Sequence, residues 1–206
     1  DLYNRTMQDV FTVQQDISTS IASAIAPKLP GAPPSTFADR GTTDDTAYEA
    51  FTRANGLIAR RGARSLHHAL DTLSMAITRD TAFARAYAKM AVAYSLLPLY
   101  DPAVSDSALT HGVAMATRAV ALDSTLMDAF GARASLENSL FRWRDAERDY
   151  RHAVGVNPRD GVSRQGLGEN LLIQGRVREG IDQLRNATAL DPTSASALAA
   201  LARVLL

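Results

Sequence analysis

The chain has 206 residues, of which 46% are hydrophobic and 21% are charged, and its 22 basic side chains balance its 22 acidic ones. This composition suits a folded protein and excludes disorder along the whole chain. Zero net charge gives no overall attraction to a phosphate backbone or an anionic bilayer, which argues against nucleic acid as a partner. The chain contains no cysteine, so disulfides, thiolate metal sites and thiol nucleophiles are excluded.

The first part of the chain predicts a separate amphipathic helix over residues 1–26. From residue 7 onward, apolar side chains recur at steps of three and four, as they do on one face of a helix: Val10, Val13, Ile17, Ile21 and Ile25. A proline-rich stretch follows, and residues 27–43 are predicted to form an extended linker. Because the apolar face needs cover, we expect the helix to pack on the rest of this molecule or on a neighbouring copy.

From residue 44 to residue 206 the chain is predicted to be helical and repetitive. Residues 153–158 (AVGVNP) and 187–192 (ATALDP) match at an offset of 34 residues. Two earlier copies of this closing motif, 76–81 and 119–124, lie 43 residues apart, and the nine extra residues fit an insertion at 98–106. Self-similarity at this period indicates an array of helix pairs. We expect about four repeats and one unpaired helix at the end.

The best-matching copy contains, in order, Arg164, Leu167, Gly168, Leu171, Gly180, Leu184, Ala187 and Pro192. This segment resembles the tetratricopeptide (TPR) pattern W-x2-L-G-x2-Y, A-x3-F, A, P. The resemblance implies an all-α fold, a right-handed superhelical solenoid of helix-turn-helix repeats. The sequence departs from the pattern at Arg164, where an aromatic residue is usual, and at Arg133 and Glu137, where apolar residues are usual.

Small residues recur where the two helices of each pair should cross. The predicted first helices have an alanine or glycine at Ala54, Ala91, Ala134 and Gly168. The predicted second helices have one at the corresponding positions Ala69, Gly112, Ala146 and Gly180. Small side chains allow two helices to approach closely. An Asp or Asn followed by Pro, Ser or Thr is predicted to stop each second helix and to cap the next pair.

The N-terminal piece has a second resemblance. Leu2-Tyr3-Asn4-Arg5, followed by the residues from Asp9 to Ile17, is similar to the segment that joins a TolB-like α/β domain to TPR repeats in bacterial signalling proteins. Those proteins include serine/threonine kinases and winged-helix regulators. The α/β domain is absent here, so the resemblance transfers no enzymatic or DNA-binding role. The chain begins at Asp1 without an initiator Met, and we interpret it as a piece of a longer protein.

The TPR resemblance implies that the first helices of successive pairs line a concave surface. The candidate lining residues mix aromatic, amide and charged side chains: Tyr48, Phe51, Asn55, Arg85, Lys89, Asn138, Gln165 and Glu169. We therefore expect a protein-protein interaction module that holds a peptide or helix of a partner. The alternative is a regulatory or spacer segment that contacts other domains of its own parent protein. Capture of a C-terminal carboxylate is disfavoured, because Phe51 stands where relatives with that clamp have Lys.

Patterns typical of enzymes are weak in this sequence. Gly166 and Gly168 begin like a dinucleotide-binding loop, but the third glycine is missing. His67 and His68 are adjacent and cannot form the i, i+4 pair of a helical zinc site. The basic turn 60–64 could hold a phosphate, although a solvated corner is favoured. No combination of a nucleophile with a base, and no pair of carboxylates, is evident, so we predict no enzyme, no metal and no cofactor.

The end of the chain predicts self-association. Leu198, Leu201 and Leu205 repeat the positions of Arg164, Leu167 and Leu171, and Leu206 adds a further apolar side chain. One side of this last helix has nothing in the chain to cover it. Because exposed apolar area favours association, we expect Leu198, Leu205 or Leu206 to contact another copy.

Overall fold

A computed structural model describes residues 40–205, and within this range it is entirely helical, with no strand. Its nine α-helices are α1 (Asp45–Ala59), α2 (Ala63–Arg79), α3 (Ala84–Leu96), α4 (Ser105–Leu122), α5 (Met127–Ser139), α6 (Trp143–Val156), α7 (Gly161–Ile173), α8 (Val177–Leu190) and α9 (Ala195–Leu205). Two short 3-10 helices, Leu97–Leu99 and Pro102–Val104, occupy the predicted insertion between α3 and α4. None of the described helices has the length and apolar content needed to cross a membrane.

The helices pack as consecutive pairs, α1 with α2, α3 with α4, α5 with α6 and α7 with α8. The first helices of the pairs also contact one another, so that α1, α3, α5, α7 and α9 form one continuous row, which we call the inner layer. This arrangement confirms the predicted all-α right-handed solenoid of helix-turn-helix repeats. The predicted N-terminal helix and residues 27–39 of the linker lie outside the described residues.

The helices of a pair approach most closely where the sequence has small residues. A Cβ atom built on Gly168 would lie 3.0 Å from the Gly180 carbonyl oxygen and 2.8 Å from Leu184 Cγ. In the other pairs, alanines at the crossing, such as Ala54 and Ala69, have no exposed surface. In the α7-α8 pair the packing at the crossing is therefore backbone against backbone, and in the other pairs fully buried alanines lie at the crossing.

Each second helix ends at the predicted Asp or Asn. Backbone amides two residues later donate to the side chains of Asp80, Asp123, Asn157 and Asp191 over 2.8–3.0 Å. The prediction that these residues also cap the next pair is wrong, because the next helix begins four residues after each of them. Phe83 and Leu126 stand at two of those helix starts and give no side-chain hydrogen bond. Asp160 does cap α7, accepting from the amides of Val162 and Ser163.

Two of the three polar departures from the repeat pattern, Arg133 and Glu137, form part of the interior of the third pair. Arg133 makes a two-pronged ion pair with Asp149, whose side chain is only 2% exposed, with Nη2 3.1 Å from Oδ1. Glu137 is 7% exposed, and its Oε2 has no hydrogen-bond partner among the described residues. Burial, and secondly the charge of Asp149, raise the pKa of Glu137 to about 7.

The close crossing of α7 and α8 predicts that two glycine-to-alanine substitutions change the free energy of unfolding in opposite directions. We expect Gly168→Ala to lower the free energy of unfolding by about 1–3 kcal/mol, because the new methyl group meets the backbone of α8. Gly56 lies within α1, and a methyl group added there would have no atom within 4 Å. Gly56→Ala should therefore raise the free energy of unfolding by about 0.5–1 kcal/mol. Urea denaturation measures both, and equal effects would contradict the proposed crossing.

Replacing the buried Glu137 by glutamine is predicted to stabilise the folded protein at high pH. Its folded pKa of about 7 exceeds the ordinary value of 4.5, so the folded state binds the proton more tightly. The stability that this proton provides is present below about pH 4.5 and is lost as the pH rises through 7. Glu137→Gln should match the parent chain near pH 4.5 and exceed it in free energy of unfolding by roughly 3 kcal/mol at pH 8.5, measured by urea denaturation. A difference independent of pH would contradict the assignment.

Candidate functional site

The inner layer contains a groove of about 420 Å³ in the N-terminal half of the array. It lies between α1 and α3 and is closed at one side by the start of α5. Its wall combines apolar and polar side chains: Phe51, Asn55, Ile58, Ala59, Arg61, Arg85, Ala88, Lys89, Val92, Leu126 and Asp128. The volume is within the range of ligand-binding clefts.

Helical periodicity places these side chains on the groove. Phe51, Asn55 and Ile58 follow one another at steps of four and three along α1. Arg85, Lys89 and Val92 do the same along α3. Residues at these steps share one face of a helix. The two faces meet because the inner-layer helices α1 and α3 lie side by side.

The groove has more positive than negative charge. Lys89 Nζ lies 3.0 Å from Asp128 Oδ2, which links α3 to α5. The Arg85 guanidinium lies over the Phe51 ring, 5.3 Å from its centroid. Arg61 follows the end of α1 in a left-handed conformation, with φ of 57°. The lining residues thus include three cationic side chains and one carboxylate.

Four of the eight predicted site residues line this groove together: Phe51, Asn55, Arg85 and Lys89. Phe51 is only 4% exposed, because it also packs against Phe83 with ring centroids 5.1 Å apart. It therefore forms the floor of the groove. Tyr48 lies beside the groove, with its ring 6.2 Å from that of Phe51.

The other three predicted residues lie farther along the inner layer and form hydrogen bonds between successive repeats. Asn138 accepts from Asn170 Nδ2 over 2.9 Å. Gln165 accepts from the Ser196 hydroxyl over 3.0 Å. Glu169 pairs with Arg203 over 3.4 Å. These side chains link α5 to α7 and α7 to α9, and they do not line the N-terminal groove.

The sequence interpretation missed two charged residues of the groove, Arg61 and Asp128. Arg61 was part of the basic turn for which a solvated corner was favoured. It is exposed, but the left-handed backbone after α1 places it at the groove. Asp128 lies in the first turn of α5, and no sequence pattern singled it out.

A smaller cavity of about 290 Å³ lies between α2, α3 and α4. His67 and His111 line it, and His67 Nε2 lies 3.0 Å from Asp101 Oδ2 at its edge. Residues 40–205 contain no group of three or more His, Asp or Glu side chains placed to hold a metal ion. Gly166 and Gly168 lie within α7 and pack against Tyr150 and Gly180, respectively.

The last helix exposes part of its apolar face. Leu198 is 47% exposed and Leu205 is 56% exposed. The other side of α9 packs on α8 and α7 through the buried residues Ala197 and Ala200. Leu206 lies outside the described residues.

No family model matches the chain. One curated relative, putative adenylate cyclase 3 of Rhizobium meliloti (strain 1021), is 26% identical over 125 residues, which are 60% of this chain and 21% of that protein. The chain thus spans about a fifth of the length of this relative.

Solved structures give broader matches. A thermophilic TPR protein of Thermus thermophilus superposes with a TM-score of 0.66 and 16% identity, covering 96% of this chain and 94% of that one. PilF of Pseudomonas aeruginosa superposes with a TM-score of 0.65 and 16% identity, covering 79% of this chain and 68% of that one. YrrB, a TPR protein with an unusual peptide-binding site, superposes with a TM-score of 0.55 and 20% identity, covering 90% of this chain and 81% of that one. At these identities the likeness concerns the fold, and the chain has the fold of the tetratricopeptide-repeat proteins.

Proposed function

We propose that this chain is a protein-protein interaction module that binds a peptide or helix of a partner protein in the groove between α1, α3 and α5. The observation behind the proposal is the groove itself. It is open, lies on the inner layer, and combines an apolar floor with polar and charged side chains at its rim. Ligand-binding sites typically combine an apolar lining with polar groups that fix the orientation of the ligand.

The groove can bind a peptide through two kinds of contact. Ile58, Val92 and Leu126 offer apolar surface to side chains from one face of a bound segment. Asn55 offers an amide that can donate to and accept from a peptide backbone. The cationic groups at the rim favour acidic side chains on the ligand and raise its association rate.

Structural likeness supports this reading. YrrB has a peptide-binding site on a similar solenoid, and repeat solenoids in general use extended concave surfaces for binding.

The proposal predicts that paired alanine substitutions in the groove weaken binding. A peptide selected from an array by the parent chain should bind the Asn55→Ala, Lys89→Ala variant roughly tenfold less tightly, since two polar contacts are lost. The matched control is Arg118→Ala with Asn186→Ala, on exposed faces of α4 and α8. Fluorescence anisotropy measures both affinities. Unchanged binding by the groove variant, or equal loss in the control, would rule out the groove as the site.

A second candidate function is a regulatory or spacer segment of a larger bacterial signalling protein. The match to part of a putative adenylate cyclase favours it, as does the resemblance of residues 2–17 to a joint before TPR repeats. Under this hypothesis the groove, or the second helices of the pairs (α2, α4, α6 and α8), contact other domains of the parent protein, and the segment itself has no catalytic role. Binding of the parent's remaining domains to this chain in trans, lost with the groove variant above, would support it. Activity of this chain alone in a cyclase assay would contradict it.

We also propose that the exposed face of α9 takes part in self-association. Leu205→Glu should lower the average mass measured by sedimentation at high concentration, because a charge replaces an apolar contact. Val162→Glu is the control, since Val162 is also exposed but lies at the start of α7. A parent chain that is strictly monomeric at millimolar concentration would contradict this proposal.

A further inference from the structure

The chain enters the described structure at the edge of the groove. The Arg40 guanidinium lies 4.2 Å from the centroid of the Tyr48 ring. Gly41 lies against Arg85, a lining residue, since a Cβ built on Gly41 would come within 2.9 Å of Arg85 Cδ. The Thr42 hydroxyl donates to the Asp80 carboxylate. Residues 40–42 are therefore fixed on the array, and the preceding polypeptide starts beside the groove.

The charge of the N-terminal segment is complementary to that of the groove. Residues 7–26 include Asp9 and Asp16 and no Lys, Arg or His. The groove is lined by three cationic side chains and one carboxylate. The two aspartates are seven residues apart, so on the predicted helix they share one face, about 10 Å apart along the axis. They immediately precede Val10 and Ile17 of the apolar stripe.

The tether is long enough for this segment to reach the groove. The 13 residues from 27 to 39 span at most about 45 Å when extended, and four of them are proline. The segment needs only to fold back from Gly41 onto neighbouring lining residues. A short tether gives a local concentration on the order of millimolar, so a weak contact suffices to keep the groove occupied.

We propose that residues 7–26 occupy the groove of their own chain as a tethered ligand with which a partner must compete. The inference rests on the proposed function, because it takes the groove to be a peptide site. The apolar stripe covers the groove's apolar floor, while Asp9 and Asp16 face the cationic side chains at its rim. A partner then binds with an affinity reduced by the fraction of chains that are closed.

Because the chain has no cysteine, a spin-label distance measurement on the full chain tests the proposal directly. Labels at Thr12→Cys and Arg53→Cys, the latter on the exposed side of α1, should give one narrow distance distribution by pulsed EPR. Reversing the groove charge with Arg61→Glu and Lys89→Glu should broaden it. The matched control, Arg118→Glu with Arg178→Glu on exposed faces of α4 and α8, should leave it narrow.

A variant with the charges exchanged between segment and groove distinguishes loss of this contact from misfolding. Adding Asp9→Lys and Asp16→Lys to the reversed groove should restore the narrow distribution. The same two aspartate changes alone should raise affinity for an array-selected peptide, by roughly tenfold if nine chains in ten are closed.

A broad distribution in the parent chain, or one insensitive to the groove charges, would overturn the inference. So would a dipolar signal between two singly labelled chains in a mixture, which would place the segment in the groove of a second copy. These results need no external ligand. If the tethered segment lies elsewhere, this inference fails, but the groove can still bind other proteins. If no external peptide binds, the proposed function fails, but the EPR distance distribution is unaffected.

Discussion

The close approach of the two helices in each pair is the constraint on which the rest of the array depends. In the α7-α8 pair, the Gly168 and Gly180 backbones touch, because neither residue has a side chain to separate them. Larger side chains beside the crossing, such as Leu171 and Leu184, are then fully enclosed. A pair packed in this way buries only one of its faces, so each pair must stack on the next. Stacking brings the first helices side by side and thereby creates the inner layer.

The inner layer serves different purposes in its two halves. In the C-terminal half, side chains from successive first helices bond to one another, as Asn138 does with Asn170 and Glu169 with Arg203. In the N-terminal half, the Lys89-Asp128 ion pair is one such link, but the helices there also leave a groove. The same polar residue types thus connect successive repeats at one end and line the groove at the other.

Polar groups also enter the interior of the third pair. Arg133 and Asp149 neutralise each other between α5 and α6, and burial raises the pKa of Glu137 beside them to about 7. Removing one partner of such a pair destabilises the protein more than replacing both partners by apolar residues, because the remaining charge stays buried. The third pair therefore combines an ion pair with apolar contacts such as those of Leu136 and Tyr150, whereas the buried cluster around Phe51 and Leu66 in the first pair is apolar.

The sequence by itself determined the helices, their repeat and the fold. The small residues at the crossings and the Asp or Asn at each stop act locally, through steric fit and backbone hydrogen bonds, so a single repeat is enough to encode them. Four of the eight candidate site residues, which the TPR resemblance had implied, also line the groove. Only the tertiary structure decided that Asn55 lines a groove while Asn138 bonds to the next repeat, and that Arg61 turns into the groove. The physical reason is that each side chain's partners come from helices some 30 to 40 residues away, and the superhelical stacking, which no single repeat contains, brings them there.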